Sequence, residues 1–229
     1  MNCGLSPLRP RSGLPVGFSV MSAPTLTDFV LANTTLAPVP LVPEVSLHGA
    51  VEAMDLWERT HHDQPPFWAF PWAGGQALAR HLLDHSGLVR DKKVFDLASG
   101  SGLVAIAAAL AGADSVTAND IDPMALAAVQ LNAAANGVTV STLDGDQLDS
   151  DAHGADVVLA GDVFYDSEVT ALVLPFLVRA AARGALVLLG DPDRAHLPRD
   201  RFTALARYEV PVPLTLESTE TRSATVWRA

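Results

Sequence analysis

The 229-residue chain is short of cysteine, tyrosine and positive charge: it has one Cys, two Tyr, and 15 Lys and Arg against 26 Asp and Glu. A lone Cys3 excludes an internal disulfide and any cysteine-based zinc site, and it fits a reducing, cytoplasmic setting. A formal net charge of −11 without a basic run argues against binding to nucleic acid and to anionic membranes. Long apolar runs are also missing. The most apolar stretch, 171–190, is broken by Pro175, Arg179, Arg183 and Gly184, so it falls short of the ~20 residues that a spanning helix requires. What is present is a hydrophobic fraction of 49%, ample for the core of one domain with an appendage.

Residues 1–22 carry prolines and glycines without periodicity and read as a disordered extension, with Met21 an alternative first residue. Residues 23–90 read as an N-terminal helical and extended appendage. It comprises a short helix from Thr25, a proline-spaced extended stretch from Ala37 to Ala50, and a helical period running to His62. An aromatic cluster (Phe67, Trp68, Phe70, Trp72) and a helix from Gln76 to His85 follow. His61 and His62 adjoin Asp63 and are read as a solvated linker, so no metal site is expected.

Residues 91–229 alternate strands and helices. Strands are expected at 93–97, 115–119, 139–143, 155–161 and 185–189, with helices at 102–111, 123–136 and 168–183. The β-rich runs 208–218 and 222–229 have no room between them for a crossover helix, so they should pair antiparallel. The fold class is therefore α/β, a doubly wound, mostly parallel sheet closed by an antiparallel C-terminal strand pair.

Three strand ends carry the chemistry: "DLASGSG" from Asp96, "NDIDP" from Asn119 and "GDVFYD" from Gly161. In such sheets ligands bind beyond the carboxyl ends of the strands. Gly100, Gly102 and Ala105 fit a dinucleotide turn, and Asp120 lies 18 residues beyond Gly102 as a ribose-binding carboxylate should, which alone suggests NAD. Asp96 inside the first strand end points elsewhere, because a buried carboxylate facing the crevice needs a cation and repels a pyrophosphate. Asp146 and Asp162 add further acid around the same crevice. S-adenosyl-L-methionine offers both an ammonium and a sulfonium, and its ribose still needs Asp120.

These motifs resemble those of seven-stranded S-adenosylmethionine-dependent methyltransferases. Together with "FVLANT", "VPEVSLH", "PFWAFPWAGGQALARHLLD", "GDP" and "TVWRA", they resemble the protein-lysine methyltransferases that modify the β-subunit of electron transfer flavoprotein, from Thr25 to Ala229 in order. The resemblance implies that Asp96 lies near the methionine amino group, with Ser99, Gly100 and Gly102 around the methionyl portion. It further implies that Asp120 holds the ribose, Ile121 flanks the adenine, Asp146 accepts from its exocyclic amine and Trp72 covers the cofactor. Asp162 and Tyr165 would be the catalytic pair bordering the lysine entrance. One departure is visible, since the family commonly has Gly-Asp-Pro-Gly-Arg where this chain has Asp193 in the glycine position.

Bland readings accompany each residue. Asp122 before Pro123 suits a helix cap, Phe67, Trp68 and Phe70 suit packing, and Tyr165 suits a loop hydrogen bond. A serine hydrolase fails on spacing, because Ser101 is flanked two residues away by Ser99 and Leu103 rather than by glycines. The expected function is protein-lysine N-methylation, with the flavoprotein β-subunit as partner and the enzyme a monomer. The alternatives are a ribosomal-protein or small-amine methyltransferase, a scaffold without transfer activity, and an NAD-dependent oxidoreductase.

Overall fold

The computed structural model describes residues 25–60, 65–213 and 219–229. The expected extension at 1–22, the His61–His62–Asp63 cluster and residues 214–218 of the penultimate β-rich run lie outside them.

The chain opens with α1 (Leu26–Asn33), which starts where Thr25 and Asp28 form a reciprocal capping box. The proline-spaced stretch folds into an antiparallel hairpin, β1 (Thr35–Val39) and β2 (Val42–Gly49). Its prolines are tolerated because both strands of a two-stranded ribbon are edge strands, where a proline can sit with its nitrogen on the outer side. After α2 (Ala53–Thr60), α3 (Ala73–Asp84) begins three residues before the expected Gln76, taking Gly74 and Gly75 into its first turn.

The alternating part follows the expected order: β3 (Lys93–Leu97), α4 (Leu103–Leu110), β4 (Ser115–Asp120), α5 (Pro123–Ala135), β5 (Ser141–Asp144), β6 (Val157–Gly161), α6 (Ser167–Ala182) and β7 (Leu186–Asp191). Asp122 caps α5 with Pro123 in the first turn, and Asp166 caps α6. The chain closes with β8 (Thr203–Pro211) and β9 (Thr221–Arg228), an antiparallel pair in which β8 starts five residues earlier than Tyr208. The seven strands run in the order β5-β4-β3-β6-β7-β9-β8, parallel from β5 through β7.

Side-chain alternation splits the core into two layers. Val94, Val116, Leu159, Leu188 and Val226 pack with Leu78 of α3 and Val104 of α4, whereas Phe95, Val158, Val187 and Leu189 pack with Phe176 and Leu177 of α6. Both faces are covered, which is why β6 and β7 read as continuous apolar runs. No described helix is long and apolar enough to cross a membrane.

The winding places the crevice. From β3 the chain goes outward to β4 and β5, then returns to β6 on the other side, so the strand order reverses between β3 and β6. Asp96, the glycine turn and Asp162 lie at that reversal.

Candidate active site

β3 ends with Asp96 buried at 1% exposure. Its Oδ2 accepts from the Ser99 hydroxyl at 2.6 Å, and its Oδ1 has no hydrogen-bond partner. Burial, relieved only in part by the Ser99 hydroxyl and the Ala105 backbone and reinforced by the Asp120 charge, pushes the Asp96 carboxyl up to about 7. Holding it ionised in the absence of a cation therefore costs about 4 kcal/mol, from the shift above 3.8 at ~1.36 kcal/mol per pKa unit. An incoming cation would recover that energy.

The turn after Asp96 is built from left-handed residues. Ala98, Gly100 and Gly102 have φ of 51°, 53° and 81°, a conformation that disfavours the alanine. Gly102 opens α4 and presses on α5, since a Cβ there would sit 3.1 Å from Val129. The Gly100 N–H donates to Asp120 Oδ2 at 2.9 Å, and the Asp122 N–H donates to Asp120 Oδ1 at 3.0 Å. Both Asp120 oxygens thus brace the turn while retaining lone pairs toward the crevice, and burial raises its pKa. Ile121 beside it is 73% exposed, a bare apolar side chain at the rim. Asp146 is exposed and accepts from the Leu148 N–H at 2.8 Å.

The aromatic segment forms one wall. Trp72 precedes α3, donates its indole N–H to the Phe67 carbonyl at 2.8 Å, and has neighbouring rings Phe67 at 5.9 Å and Phe70 at 6.1 Å. Phe67 lies 5.4 Å from Tyr165, and the backbone at Phe67 and Trp68 approaches Gly100. The aromatic segment, the glycine turn and Tyr165 therefore meet. Tyr165 is 48% exposed, and its phenol is pushed up by partial burial and by the charges of Asp120 and Asp166, so it stays protonated at neutral pH.

Asp162 sits differently from its expected place at an open entrance. It is buried at 7% exposure, with φ 63°, and both oxygens are engaged by the protein. Oδ2 accepts from the Gly74 N–H at 2.9 Å, and Oδ1 accepts from Arg194 Nε at 2.7 Å. The Asp162 N–H in turn donates to the Gly190 carbonyl at 2.8 Å. Glycine is required here by crowding: a Cβ on Gly74 would lie 2.3 Å from the Gly190 oxygen, and one on Gly161 2.9 Å from Gly75 Cα. Asp162 thus fastens the start of α3 to the ends of β6 and β7.

Sequence reasoning missed three residues of this region. Arg194 stacks over Trp72 at 6.0 Å while holding Asp162, and its N–H donates to Asp191 Oδ1 at 2.7 Å. Asp191, buried at 1% with Oδ2 unpartnered, is pushed up to about 7 by burial and by the Asp162 charge. Its signal was present, because "LLGD" at 188–191 repeats "LAGD" at 159–162. Asn132 is fully buried and links two parts, donating to the Ser101 carbonyl at 2.8 Å and accepting from the His48 N–H at 2.7 Å. Asp193 adopts φ 63°, so the loop keeps the left-handed turn that suits glycine despite its side chain.

Comparison with known proteins agrees with this architecture. The ribosomal protein L11 methyltransferase (PrmA) family model matches residues 77–164. A Pyrococcus horikoshii protein assigned as an RNA methyltransferase shares the fold with a TM-score of 0.53 at 20% identity, over 67% of this chain and 81% of that one. TrmN from Thermus thermophilus superposes with a TM-score of 0.50 at 23% identity, over 76% of this chain and 53% of that one. Sequence relatives are closer. The electron transfer flavoprotein beta subunit lysine methyltransferase of Mus musculus is 38% identical, over 89% of this chain and 84% of its own length. That of Xenopus laevis is 34% identical over 99% and 91%, and that of Homo sapiens 34% identical over 98% and 87%. At this identity along nearly the whole chain, the protein belongs to the family of electron transfer flavoprotein β-subunit lysine methyltransferases.

Proposed function

We propose that this enzyme transfers methyl groups from S-adenosylmethionine to lysine side chains of the electron transfer flavoprotein β-subunit, with the residues around the β3–β6 crevice in the roles below. The observation that carries the cofactor assignment is the buried Asp96 with one oxygen unpartnered beside a left-handed glycine turn.

Asp96 would take the ammonium, Ser99, Gly100 and Gly102 the methionyl chain, and Asp120 the ribose hydroxyls. Ile121 offers an apolar face to the adenine and Asp146 an acceptor for its amine. Trp72 and Phe67 close the crevice from above. When bound, S-adenosylmethionine supplies an electrophilic methyl on a sulfonium. The protein must then admit a neutral amine, and a lysine of pKa ~10.4 requires roughly 4–5 kcal/mol to deprotonate at pH 7. The aromatic wall lowers that requirement by partial desolvation, and proximity supplies much of the rest. Tyr165, held protonated, hydrogen-bonds the amine or walls its path. Asp162, buried with one protein donor on each oxygen, acts through Arg194 and α3, positioning the wall. Among the described residues none is assigned as a base, and the proton leaves to water.

Incubating the protein with methyl-labelled donor and the purified β-subunit tests the reading. Lysine methylation found by mass spectrometry is the expected result. Labelling of ribosomal protein L11 instead would favour the second reading, which rests on the family match at 77–164. Labelling of neither would overturn the assignment.

A further inference from the structure

The protein is acidic overall, yet its charge is unevenly placed. Four of its 15 Lys and Arg fall within residues 194–207, as Arg194, Arg199, Arg201 and Arg207. Arg199 and Arg207 converge on one carboxylate, Asp193, at 3.1 and 3.0 Å. They line an open cleft of about 370 Å3 with Leu205, Thr225 and Trp227. Alternation along β9 puts Trp227 on the sheet face opposite α3, packed with the Phe176 layer. The outer strand β8 slips register between Ala204 and Ala206, and this bulge shapes the rim.

We infer that this cleft receives an acidic side chain of the methylated protein, next to the acceptor lysine. The inference rests on the protein-lysine reading above. Two guanidinium groups sharing one carboxylate leave net positive charge and unused donors, and arginine presents a planar fork matched to a carboxylate. Both arginines are more than half exposed, so their pairing with Asp193 is weak and an incoming carboxylate joins it at little cost. The cleft is coupled to the site by sequence and contact: Asp193 precedes Arg194, which holds Asp162 and covers Trp72. Asp193 and Asp200 interleave these arginines, which suits a single carboxylate better than a track of phosphates.

The test is steady-state methylation of the electron transfer flavoprotein β-subunit by the wild type and by the R199Q/R207Q double variant. The variant should raise KM for the β-subunit about 10-fold while leaving kcat, Tm and S-adenosylhomocysteine affinity within about 2-fold or unshifted. Raising NaCl from about 50 to about 300 mM should raise the wild-type KM and leave the variant's nearly flat. Methylation by the wild type with an unchanged variant KM overturns the cleft assignment alone. Inhibition of the wild type but not the variant by poly(U) or by inorganic phosphate also overturns it, assigning the cleft to phosphate. No methylation of the β-subunit by the wild type overturns the functional reading, and this proposal with it.

Discussion

Asp96 and Asp162 stand at the carboxyl ends of adjacent strands, both buried, yet the protein treats them in opposite ways. Asp96 Oδ1 is left without a partner and its carboxyl is pushed up to about 7. Asp162 has the Gly74 N–H on one oxygen and the Arg194 guanidinium on the other. The same residue type in the same fold position is therefore a socket on one side of the reversal and a fastener on the other. Whether a strand-end acid awaits a ligand is decided by which cation reaches it, and on the β6 side the chain supplies its own.

The largest effect that would sharpen this contrast is at Asp96. Asp96→Asn should weaken S-adenosylhomocysteine binding by about 100-fold or more, as expected when one member of a buried charge pair is removed. The same substitution should raise the Tm of the ligand-free protein at pH 8 by about 5 °C, because it removes a buried, unpaired charge. Calorimetry and thermal melts read both, and a variant that binds normally would end the socket description. At Asp162 the signs reverse. Asp162→Asn removes the charge that Arg194 Nε meets and replaces one of two buried acceptors with an NH2, and it should destabilise the fold by about 2–3 kcal/mol, with S-adenosylhomocysteine affinity changed less than about 10-fold. A stable Asp162→Asn enzyme that has lost only transfer would break the comparison and return Asp162 to the amine.

The next effect is pH-dependent. Because the folded Asp96 and Asp191 titrate near 7 rather than 3.8, the ligand-free fold holds protons that the unfolded chain releases, and its stability should fall as pH rises from about 4 to about 7 and then level off. Cofactor affinity runs the other way, since the ammonium binds the ionised carboxylate. It should rise about 10-fold between pH 6 and pH 8, and this dependence should vanish in Asp96→Asn. Titrations at the two pH values measure it. The smallest effect is expected at Asp146→Ala, under about 3-fold in binding, because the carboxylate is exposed and water competes with any adenine contact.

The centre of the sheet was legible because β3, β6 and β7 are buried on both faces and the helices carry their own caps at Asp122 and Asp166. The cofactor half of the site was legible for a related reason, since Asp96, the glycines and Asp120 are local strand-end signals. The other half depends on contacts between distant segments. Gly74 and Gly75 look like helix breakers and delayed the predicted start of α3, whereas they allow its backbone to rest on β6 and β7. Arg194 lies in an irregular loop, and its guanidinium meets Asp162 only across 32 positions. The hairpin was visible only as an extended stretch, because its three prolines hide the alternation by which strands are recognised.

Asn132 has a consequence for where this chain can be cut. One amide side chain holds both the hairpin strand, at His48, and the turn at Ser101. Asn136 adds a second clasp to the hairpin, accepting from the Ser46 backbone N–H and donating to the Ser46 carbonyl. A fragment begun after residue 50 would retain all seven strands of the main sheet and still lose the His48 N–H that holds the far side of the Asn132 amide. A chain begun ahead of Thr35 should therefore bind S-adenosylhomocysteine more tightly than one begun after residue 50, because only the longer one fixes both ends of that amide.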